Sequence, residues 1–288
     1  MNLLMMKTVN EVYRSGVALL EENCIDDAEF DARCLIEYVL DIDTTQFMLS
    51  RQEKICISIQ SRYFELINKR ISGMPLQYIL GSWEFMGHTF VVGEGVLIPR
   101  PETEMLVDLA CEYLESFKNK SPIVVDFCSG SGCIAISIAK RFPDAEVYAV
   151  EKYAEAYRYL KENILLNNVQ NVTAINGDLF DKNVINPIKP DLILSNPPYI
   201  RKSDIPSLSK EVLCEPHTAL DGGNDGYDFY RFLCNFWFGE YLADNSAMML
   251  ECAEDQGDCI SEMFAKYTDN TKVIYDFNGL QRIVTSYK

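Results

Sequence analysis

The spacing of hydrophobic residues changes near residue 80, and this change predicts two regions of different structure. Before that point, apolar side chains recur every three or four positions over residues 9–20, 28–39 and 57–71. This period places them on one face of a helix. We therefore predict a small helical bundle over residues 1–80, with its third helix ending near Gly73, and nothing in it suggests catalysis.

Polar residues mark where two of these helices are expected to begin. Thr8 and Glu11 have the spacing of a capping box, in which each side chain satisfies a backbone N–H of the other residue. Asp26 and Glu29 repeat that spacing ahead of the second apolar face. The pattern therefore predicts helix starts at both places.

Residues 81–100 change to a strand pattern, which we interpret as a β-hairpin linker. Trp83, Phe85 and Phe90 lie on either side of Met86-Gly87-His88, as in a hairpin with a tight turn. A stiff segment, 97–104, follows, in which two prolines flank Arg100. It either forms one wall of a cleft or simply links domains ahead of the next helix.

From residue 101 onward the chain alternates between apolar strands and amphipathic helices, which indicates a parallel sheet with right-handed crossovers. The last two predicted strands surround Asn278-Gly279 and form an antiparallel hairpin. The fold class is therefore α/β. The predicted strands are 123–127, 147–150, 172–175, 191–195, 248–251, 272–277 and 282–286.

A glycine-containing loop follows the first strand of this sheet, and an acidic residue, Glu151, ends the second. Glycines let backbone pass close under a ligand, and such an acid accepts hydrogen bonds from ribose hydroxyls. The pattern favours a nucleotide-like ligand over a structural turn, although the glycine spacing also fits a dinucleotide fingerprint and Glu151 could be merely solvated. The loop residues are Cys128, Ser129, Gly130, Ser131 and Gly132.

The fourth strand, from Asp191, stops at two prolines that cannot donate to a sheet. Its tip offers the Asn196 amide, the Pro197 carbonyl and the Tyr199 ring, with Pro198 stiffening the backbone. Two acceptors and a stacking face suit a flat, neutral NH2 group. The tetrapeptide alone is equally compatible with a Pro-rich turn.

The glycine loop and the Asn196–Tyr199 segment indicate a binding site more strongly together than separately. Ligands of parallel sheets bind at the carboxyl ends of the strands, where strand order reverses. If the first and fourth strands are neighbours, the glycine loop and Asn196–Tyr199 face one crevice. Asp178, at the tip of the third strand, could hold an adenine amino group or could cap a turn; the sequence does not separate these roles.

The composition of the chain narrows the classes of ligand and partner that we expect it to bind. Of 288 residues, 43 are acidic and 26 basic, and the net charge of −17 offers no basic footprint for nucleic acid. Ten cysteines without a Cys-x-x-Cys pair, with only two histidines, argue against a metal site and against disulfides. Without a long apolar run or a leader pattern at the start, we expect a cytoplasmic protein with no membrane contact.

The glycine loop, Glu151 and Asn196–Tyr199 together resemble the class I S-adenosylmethionine-dependent methyltransferases with an Asn-Pro-Pro-Tyr motif. Over nearly the whole chain the sequence is similar to the HemK/PrmC family, which methylates the glutamine of the Gly-Gly-Gln motif in peptide-chain release factors. The narrower marks of that family lie outside the sheet motifs. They are Pro75–Gly81, Leu97–Glu104, Glu215-Pro216 and Ala219–Gly223.

The resemblance implies a class I methyltransferase domain, Rossmann-like with a seven-stranded mixed sheet, over residues 101–288, and release-factor binding by residues 1–80. It implies S-adenosylmethionine as cofactor and class I release factors as partners. Two departures stand out: Cys128 replaces a small residue, and Glu251-Cys252-Ala253 replaces Glu-Ile-Gly. The implied cofactor residues are Cys128, Ser129, Gly130, Ser131, Gly132, Glu151, Asp178, Leu179 and Asn196. The implied substrate residues are Leu97, Asn196, Pro197, Pro198 and Tyr199, with Asn196, Pro197 and Tyr199 catalytic.

An amide nitrogen is a poor nucleophile because its lone pair is delocalised into the carbonyl. We hypothesise that the Asn196 side-chain oxygen and the Pro197 carbonyl accept the two amide hydrogens, bonds that strengthen as the nitrogen becomes cationic. Tyr199 would pack on the amide plane. The alternatives are an adenine-N6 nucleic-acid methyltransferase, a dinucleotide-dependent oxidoreductase and a non-catalytic binding module of the same fold.

Overall fold

The computed structural model describes residues 6–117 and 121–288. The chain divides into two compact units. The first comprises the residues up to Gly81 together with Lys210–Cys214, and the second comprises Ser82–Ser209 and Glu215–Lys288. The first unit is therefore discontinuous in sequence.

The first unit is helical, which confirms the bundle expected from the apolar periodicity. The capping box at Thr8 is formed: the Glu11 N–H donates to the Thr8 hydroxyl at 3.2 Å, and the Thr8 N–H donates to the Glu11 carboxylate at 2.7 Å. The predicted start at Asp26 and Glu29 is wrong, because Asp27 occupies the cap position and its side chain makes no capping bond. The helices are α1 (Val9–Glu22), α2 (Ala28–Leu40), α3 (Thr44–Ser50), α4 (Ile57–Ile71) and α5 (Leu76–Leu80).

A buried charge cluster lies inside this unit. The Arg70 guanidinium, on α4, donates from Nε to Asp31 Oδ2 at 2.6 Å and also pairs with Glu211. Arg70 and Asp31 are almost fully buried. Two carboxylates around one guanidinium keep the arginine satisfied where water is excluded.

The second unit begins with the predicted hairpin, β1 (Ser82–Phe85) and β2 (His88–Val91), which pair antiparallel. Helix α6 (Pro101–Leu114) follows, and its Glu104 carboxylate accepts the N–H of the turn residue Met86 at 2.8 Å. The proline at the first position of α6 suits a helix start, where no N–H is needed.

The large sheet has the seven strands expected, in the order β5-β4-β3-β6-β7-β9-β8 among the described residues. The first five in sequence pair in parallel, and β9 pairs antiparallel with both β7 and β8. The predicted mixed sheet and its terminal hairpin are confirmed. The strands are β3 (Ile123–Phe127), β4 (Glu146–Glu151), β5 (Val172–Asn176), β6 (Leu192–Ser195), β7 (Ala247–Glu251), β8 (Thr271–Tyr275) and β9 (Gln281–Tyr287).

Helices cover both faces of this sheet and build one hydrophobic core on each. All residues of β6 and β7 are buried, which explains why these strands appear as uninterrupted apolar runs. The predicted helix 227–236 starts at Asp228 and continues as a π-helical stretch, Leu233–Tyr241, that the sequence did not reveal. The remaining helices are α7 (Cys133–Arg141), α8 (Ala154–Leu166), α9 (Asp228–Phe232) and α10 (Gly257–Phe264).

Strand order reverses beside β3. The chain moves outward from β3 through β4 to β5 and then returns to the other side of β3 as β6. A crevice therefore opens above the carboxyl ends of β3 and β6, where ligands of such sheets bind. Across the described ranges, no helix combines the length and apolar character that crossing a bilayer requires.

Candidate active site

The crevice at the strand tips is an open cleft of about 940 Å³, mouth included. In the sheet, Phe127 pairs with both Val150 and Ser195. The residues that follow these three positions, Cys128, Glu151 and Asn196, therefore reach the same edge, and all three line the cleft. The structure thus brings together the motifs that the sequence placed on separate strands.

The glycine loop bends through left-handed backbone. The φ angles are +60° at Cys128, +53° at Gly130 and +82° at Gly132. Gly132 precedes α7 and does not line the cleft; a Cβ atom there would lie 2.5 Å from Leu160 Cδ1. Gly132 therefore allows the loop to pack against α8, whereas the cleft wall is built from Cys128 to Ser131.

Glu151 braces this loop. Its Oε2 accepts the Gly130 N–H at 2.9 Å, and its Oε1 accepts the Tyr153 N–H at 2.8 Å. Burial raises the pKa of Glu151, and the backbone N–H groups of Tyr153, Gly130 and Lys152 oppose that shift. Each carboxylate oxygen has more than one lone pair, so both can still accept a hydroxyl from a ligand in the cleft.

Asp178 and Leu179 line the far end of the cleft. Asp178 Oδ1 accepts the Phe180 N–H at 3.0 Å, and Lys152 Nζ lies 2.8 Å from its Oδ2. Asp178 is therefore a turn cap and a cleft residue at once, and the two roles that the sequence left open are compatible. Leu179 is buried, with its carbonyl accepting the Trp237 indole N–H at 2.9 Å.

The Asn196 side chain is held by a residue that was not among the predicted site residues. Its Nδ2 donates to the hydroxyl of Thr103, on α6, at 3.2 Å. Thr103 is buried and lines the cleft beside Asn196. Within the described ranges no donor reaches Asn196 Oδ1, so that oxygen remains free to accept. The only advance signal was that Thr103 belongs to the segment 97–104, whose last four residues open α6.

The rest of the Asn-Pro-Pro-Tyr segment divides in two. Pro198 lines the cleft with Asn196, whereas Pro197 and Tyr199 are not among its lining residues. The Tyr199 ring packs against the core below, and burial raises its pKa to about 12. The Tyr199 carbonyl accepts Gln256 Nε2 at 3.1 Å, which fixes the backbone after the second proline.

The loop at Ala219–Gly223 supports that same backbone. The Ile200 N–H donates to the Leu220 carbonyl at 2.9 Å, and the Gly222 N–H donates back to the Ile200 carbonyl at 2.8 Å. These bonds extend the strand tip by a parallel bridge between Ile200 and Asp221. The loop therefore acts on the site by holding the Asn-Pro-Pro-Tyr segment in place.

The segment before α6 forms a wall of the cleft, one of the two roles expected for it. Leu97 and Arg100 line the cleft. The Arg100 guanidinium pairs with Glu215, a buried residue whose Oε2 also accepts the Ile98 N–H at 3.1 Å. This ion pair ties the wall to the Glu215-Pro216 motif and explains why those distant motifs occur together.

Two carboxyl groups lie deep behind the cleft. Within the described part of the chain, neither oxygen of Asp126 has a hydrogen-bond partner, and Glu251 Oε2 has none either. Burial raises the pKa of Asp126 to about 8. Burial likewise raises the pKa of Glu251 to about 7, opposed by a hydrogen bond with the Thr103 side chain.

These groups fit a nucleoside-bearing ligand. The cleft combines a carboxylate for hydroxyl groups (Glu151) with apolar walls, and a free amide oxygen (Asn196) lies at its edge. No group of three or more metal-ligating side chains occurs among residues 6–117 and 121–288. The arrangement suits transfer chemistry on a neutral NH2 group.

Comparison with known proteins gives two family matches and several relatives. Residues 11–81 match the PrmC N-terminal domain and residues 104–225 match the methyltransferase small domain. The chain is 35% identical over 264 residues to the release factor glutamine methyltransferase of Thermodesulfovibrio yellowstonii, covering 90% of this chain and 92% of the relative. It is 44% identical over 203 residues to that of Clostridium acetobutylicum, covering 70% of each.

Among solved structures, the hMettl16 catalytic domain in complex with MAT2A 3′UTR hairpin 6 resembles this chain with a TM-score of 0.52. The match covers 78% of this chain and 91% of that one, at 10% sequence identity. At this identity the likeness concerns the fold.

Proposed function

Because this chain belongs to the release factor glutamine methyltransferase family, we propose that it transfers a methyl group from S-adenosylmethionine to the side-chain amide nitrogen of the glutamine in the Gly-Gly-Gln motif of peptide-chain release factors. The observation that carries the proposal is the orientation of Asn196. Its nitrogen is occupied by Thr103 and its oxygen is free, at the edge of a cleft bounded by the glycine loop.

The acceptor amide is bound by two oxygens on one stiff backbone. Asn196 Oδ1 accepts one hydrogen of the glutamine NH2 group and the Pro197 carbonyl accepts the other. No donor among residues 6–117 and 121–288 hydrogen-bonds to that carbonyl. Both bonds strengthen as positive charge develops on the nitrogen, so they stabilise the transition state more than the ground state.

Tyr199 serves the same amide in this proposal. Its buried ring and its carbonyl bond to Gln256 keep the segment rigid, which limits the position of the glutamine plane. Pro198 and Leu97 supply the apolar sides of the substrate channel, since both line the cleft. The proton leaves the alkylated nitrogen late, so the site needs no dedicated base.

The methyl donor is held by the glycine-loop side of the cleft. Glu151 would accept the ribose hydroxyls, Asp178 and Leu179 would contact the adenine, and Cys128, Ser129, Gly130 and Ser131 would line the rest of the cofactor site, where Gly132 shapes the loop. When bound, S-adenosylmethionine supplies a methyl group already activated by the positive charge of its sulfonium. Asn196, at the adjoining strand tip, lies between the donor and acceptor sides.

The helical unit is the release-factor-binding part of the chain in this proposal. It matches the PrmC N-terminal domain. The net charge of −17 favours a protein partner with basic patches over a phosphate backbone or an anionic membrane surface.

The test is mass spectrometry of a release factor before and after incubation with this protein and S-adenosylmethionine. We expect the mass of one added CH2, localised by fragmentation to the glutamine of the Gly-Gly-Gln motif. A release factor with that glutamine replaced by asparagine is the matched control. Methyl transfer to a nucleic acid but not to the release factor would refute the proposal.

A further inference from the structure

Thr103 stands between two polar side chains that the sequence keeps far apart. Its hydroxyl accepts from Asn196 Nδ2 at 3.2 Å, and its side chain lies close enough to the Glu251 carboxyl to lower the pKa of Glu251. Glu251 is the last residue of β7, the strand beside β6. Because Ser195 pairs with Leu250, Asn196 and Glu251 come next at adjoining strand tips, with Thr103 against both.

The direction of these hydrogen bonds follows from the chemistry of the groups. An ionised carboxylate can only accept, so a hydrogen bond between Thr103 and Glu251 requires the Thr103 hydroxyl to donate its single proton. Thr103 Oγ1 then has only lone pairs left for Asn196, and the amide must present an N–H to it. The nitrogen of Asn196 is thereby fixed toward Thr103, and its oxygen is turned the other way.

We propose that Thr103 and Glu251 are positioning residues which fix the orientation of the Asn196 amide, so that its oxygen and not its nitrogen meets the substrate NH2 group. This inference rests on the proposed function. A reversed amide would present N–H donors to the N–H donors of the glutamine, and the acceptor bond would be lost.

Burial supports this assignment. Thr103 and Glu251 are 2% and 3% exposed, so water cannot easily replace a lost partner. Charged groups around Glu251 act in both directions: Glu102 raises its pKa, and Arg282 and Arg100 lower it. Tyr199, Tyr230, Cys133 and Cys252 also face it, and burial raises the pKa of each.

The first experiment compares Thr103→Val with Thr103→Ser. Valine keeps the shape and removes the hydroxyl, whereas serine keeps the hydroxyl. We expect kcat on the release factor to fall about a hundredfold in Thr103→Val, the scale of a misplaced reacting group, and to be largely restored in Thr103→Ser. Binding of S-adenosylmethionine, measured by calorimetry, should stay unchanged in both, because Thr103 acts on the acceptor side.

Three results would overturn the inference. One is a Thr103→Val protein as active as the wild type. Another is an equal loss in the valine and serine proteins together with lost cofactor binding, which would indicate a purely structural role. The last is a wild-type protein that methylates no release factor, which overturns the proposed function as well and is thereby distinguished from the other two.

The second experiment, Glu251→Gln, does not depend on removing the hydroxyl. A protonated Glu251 can donate to Thr103, which frees the Thr103 proton for a reversed Asn196. We therefore expect wild-type kcat to decline as pH falls through about 7, and this decline to be absent in Glu251→Gln, which does not titrate. A Glu251→Gln protein that keeps the wild-type pH profile would overturn the assignment of Glu251.

Discussion

Gly222 packs directly on the backbone of Tyr199: a Cβ atom on this glycine would lie 2.7 Å from Tyr199 Cα and 2.9 Å from the Pro198 carbonyl oxygen. Both contacts are with backbone, which cannot swing away as a flexible side chain can. A glycine is therefore required beside the Asn-Pro-Pro-Tyr segment for steric reasons. The φ angle of Gly222 is not in the left-handed region, so close approach alone explains it.

We expect Gly222→Ala to displace the acceptor segment and lower kcat by roughly a hundredfold, as shifts of about 1 Å in reacting groups do. The measurement is release-factor methylation at saturating substrate. Gly279→Ala is the control, because Gly279 has a φ of +79° with open space around it in a hairpin turn. It should lower the melting temperature and leave kcat unchanged; equal kcat losses in both proteins would contradict this account.

Removing the Asn196 amide tests the acceptor bond itself. We expect Asn196→Ala to lower kcat by 10²–10³-fold, about 2.7–4 kcal/mol, by analogy with a lost oxyanion-hole donor. Exposed Asn183, outside the cleft, gives the control Asn183→Ala. Unchanged turnover in Asn196→Ala with intact cofactor binding would remove Asn196 from the mechanism.

The backbone at Cys128 stores strain. A non-glycine residue with φ +60° is disfavoured by about 1–2 kcal/mol, and glycine avoids this penalty but gains unfolded-state entropy. We expect Cys128→Gly to be more stable than Cys128→Ala by roughly 0.5–1 kcal/mol. Both variants lose the same thiol, so urea denaturation of the pair isolates the backbone. An alanine protein as stable as the glycine protein would show that the loop relaxes.

Stability should fall as pH rises, because of Asp126. Its folded pKa of about 8 lies above its usual 3.8, so the folded state holds a proton that the unfolded state has released. The contribution is complete below about pH 4 and is lost as pH rises to about 8. Glu251 acts in the same direction up to its pKa of about 7.

We expect Asp126→Asn to flatten this dependence by as much as about 1.4 kcal/mol per pH unit between pH 5 and 7. Urea denaturation at several pH values measures the slope. Asp181→Asn, on the surface, is the control and should leave the slope unchanged. A slope equal to that of the wild type in Asp126→Asn would contradict the assignment.

Much of the sheet could be predicted because its signals are local. The apolar runs of β3 to β9 end at turn residues, and their bounds are confirmed within a few positions. The sequence predicted a shared crevice on the condition that the first and fourth strands of the sheet are neighbours. Phe127 pairs with Ser195, so β3 and β6 are neighbours and the condition is met. The expectation that the glycine loop and the Asn-Pro-Pro-Tyr segment share one crevice therefore came from sheet topology, which was inferred from the alternation of strands and helices.

The network at Asn196 could not be predicted because its contacts are not local in sequence. Thr103, Asn196 and Glu251 lie on three elements far apart in sequence, and no periodicity records their contact. The same holds for the pairing of Arg100 with Glu215. The departure at Cys128 was visible as an unusual residue, but its left-handed φ angle is a property of the folded loop.

The discontinuous first unit has a consequence for dissecting the protein. A fragment ending at Gly81 would lack Glu211, one of the two carboxylates around buried Arg70, and would leave that guanidinium with Asp31 as its one carboxylate partner. Supplying the peptide 210–214 in trans, or splicing it to the fragment through a short linker, would restore the missing charge. The helical unit is therefore better produced from both of its segments, the residues up to Gly81 and Lys210–Cys214, than from the first segment alone.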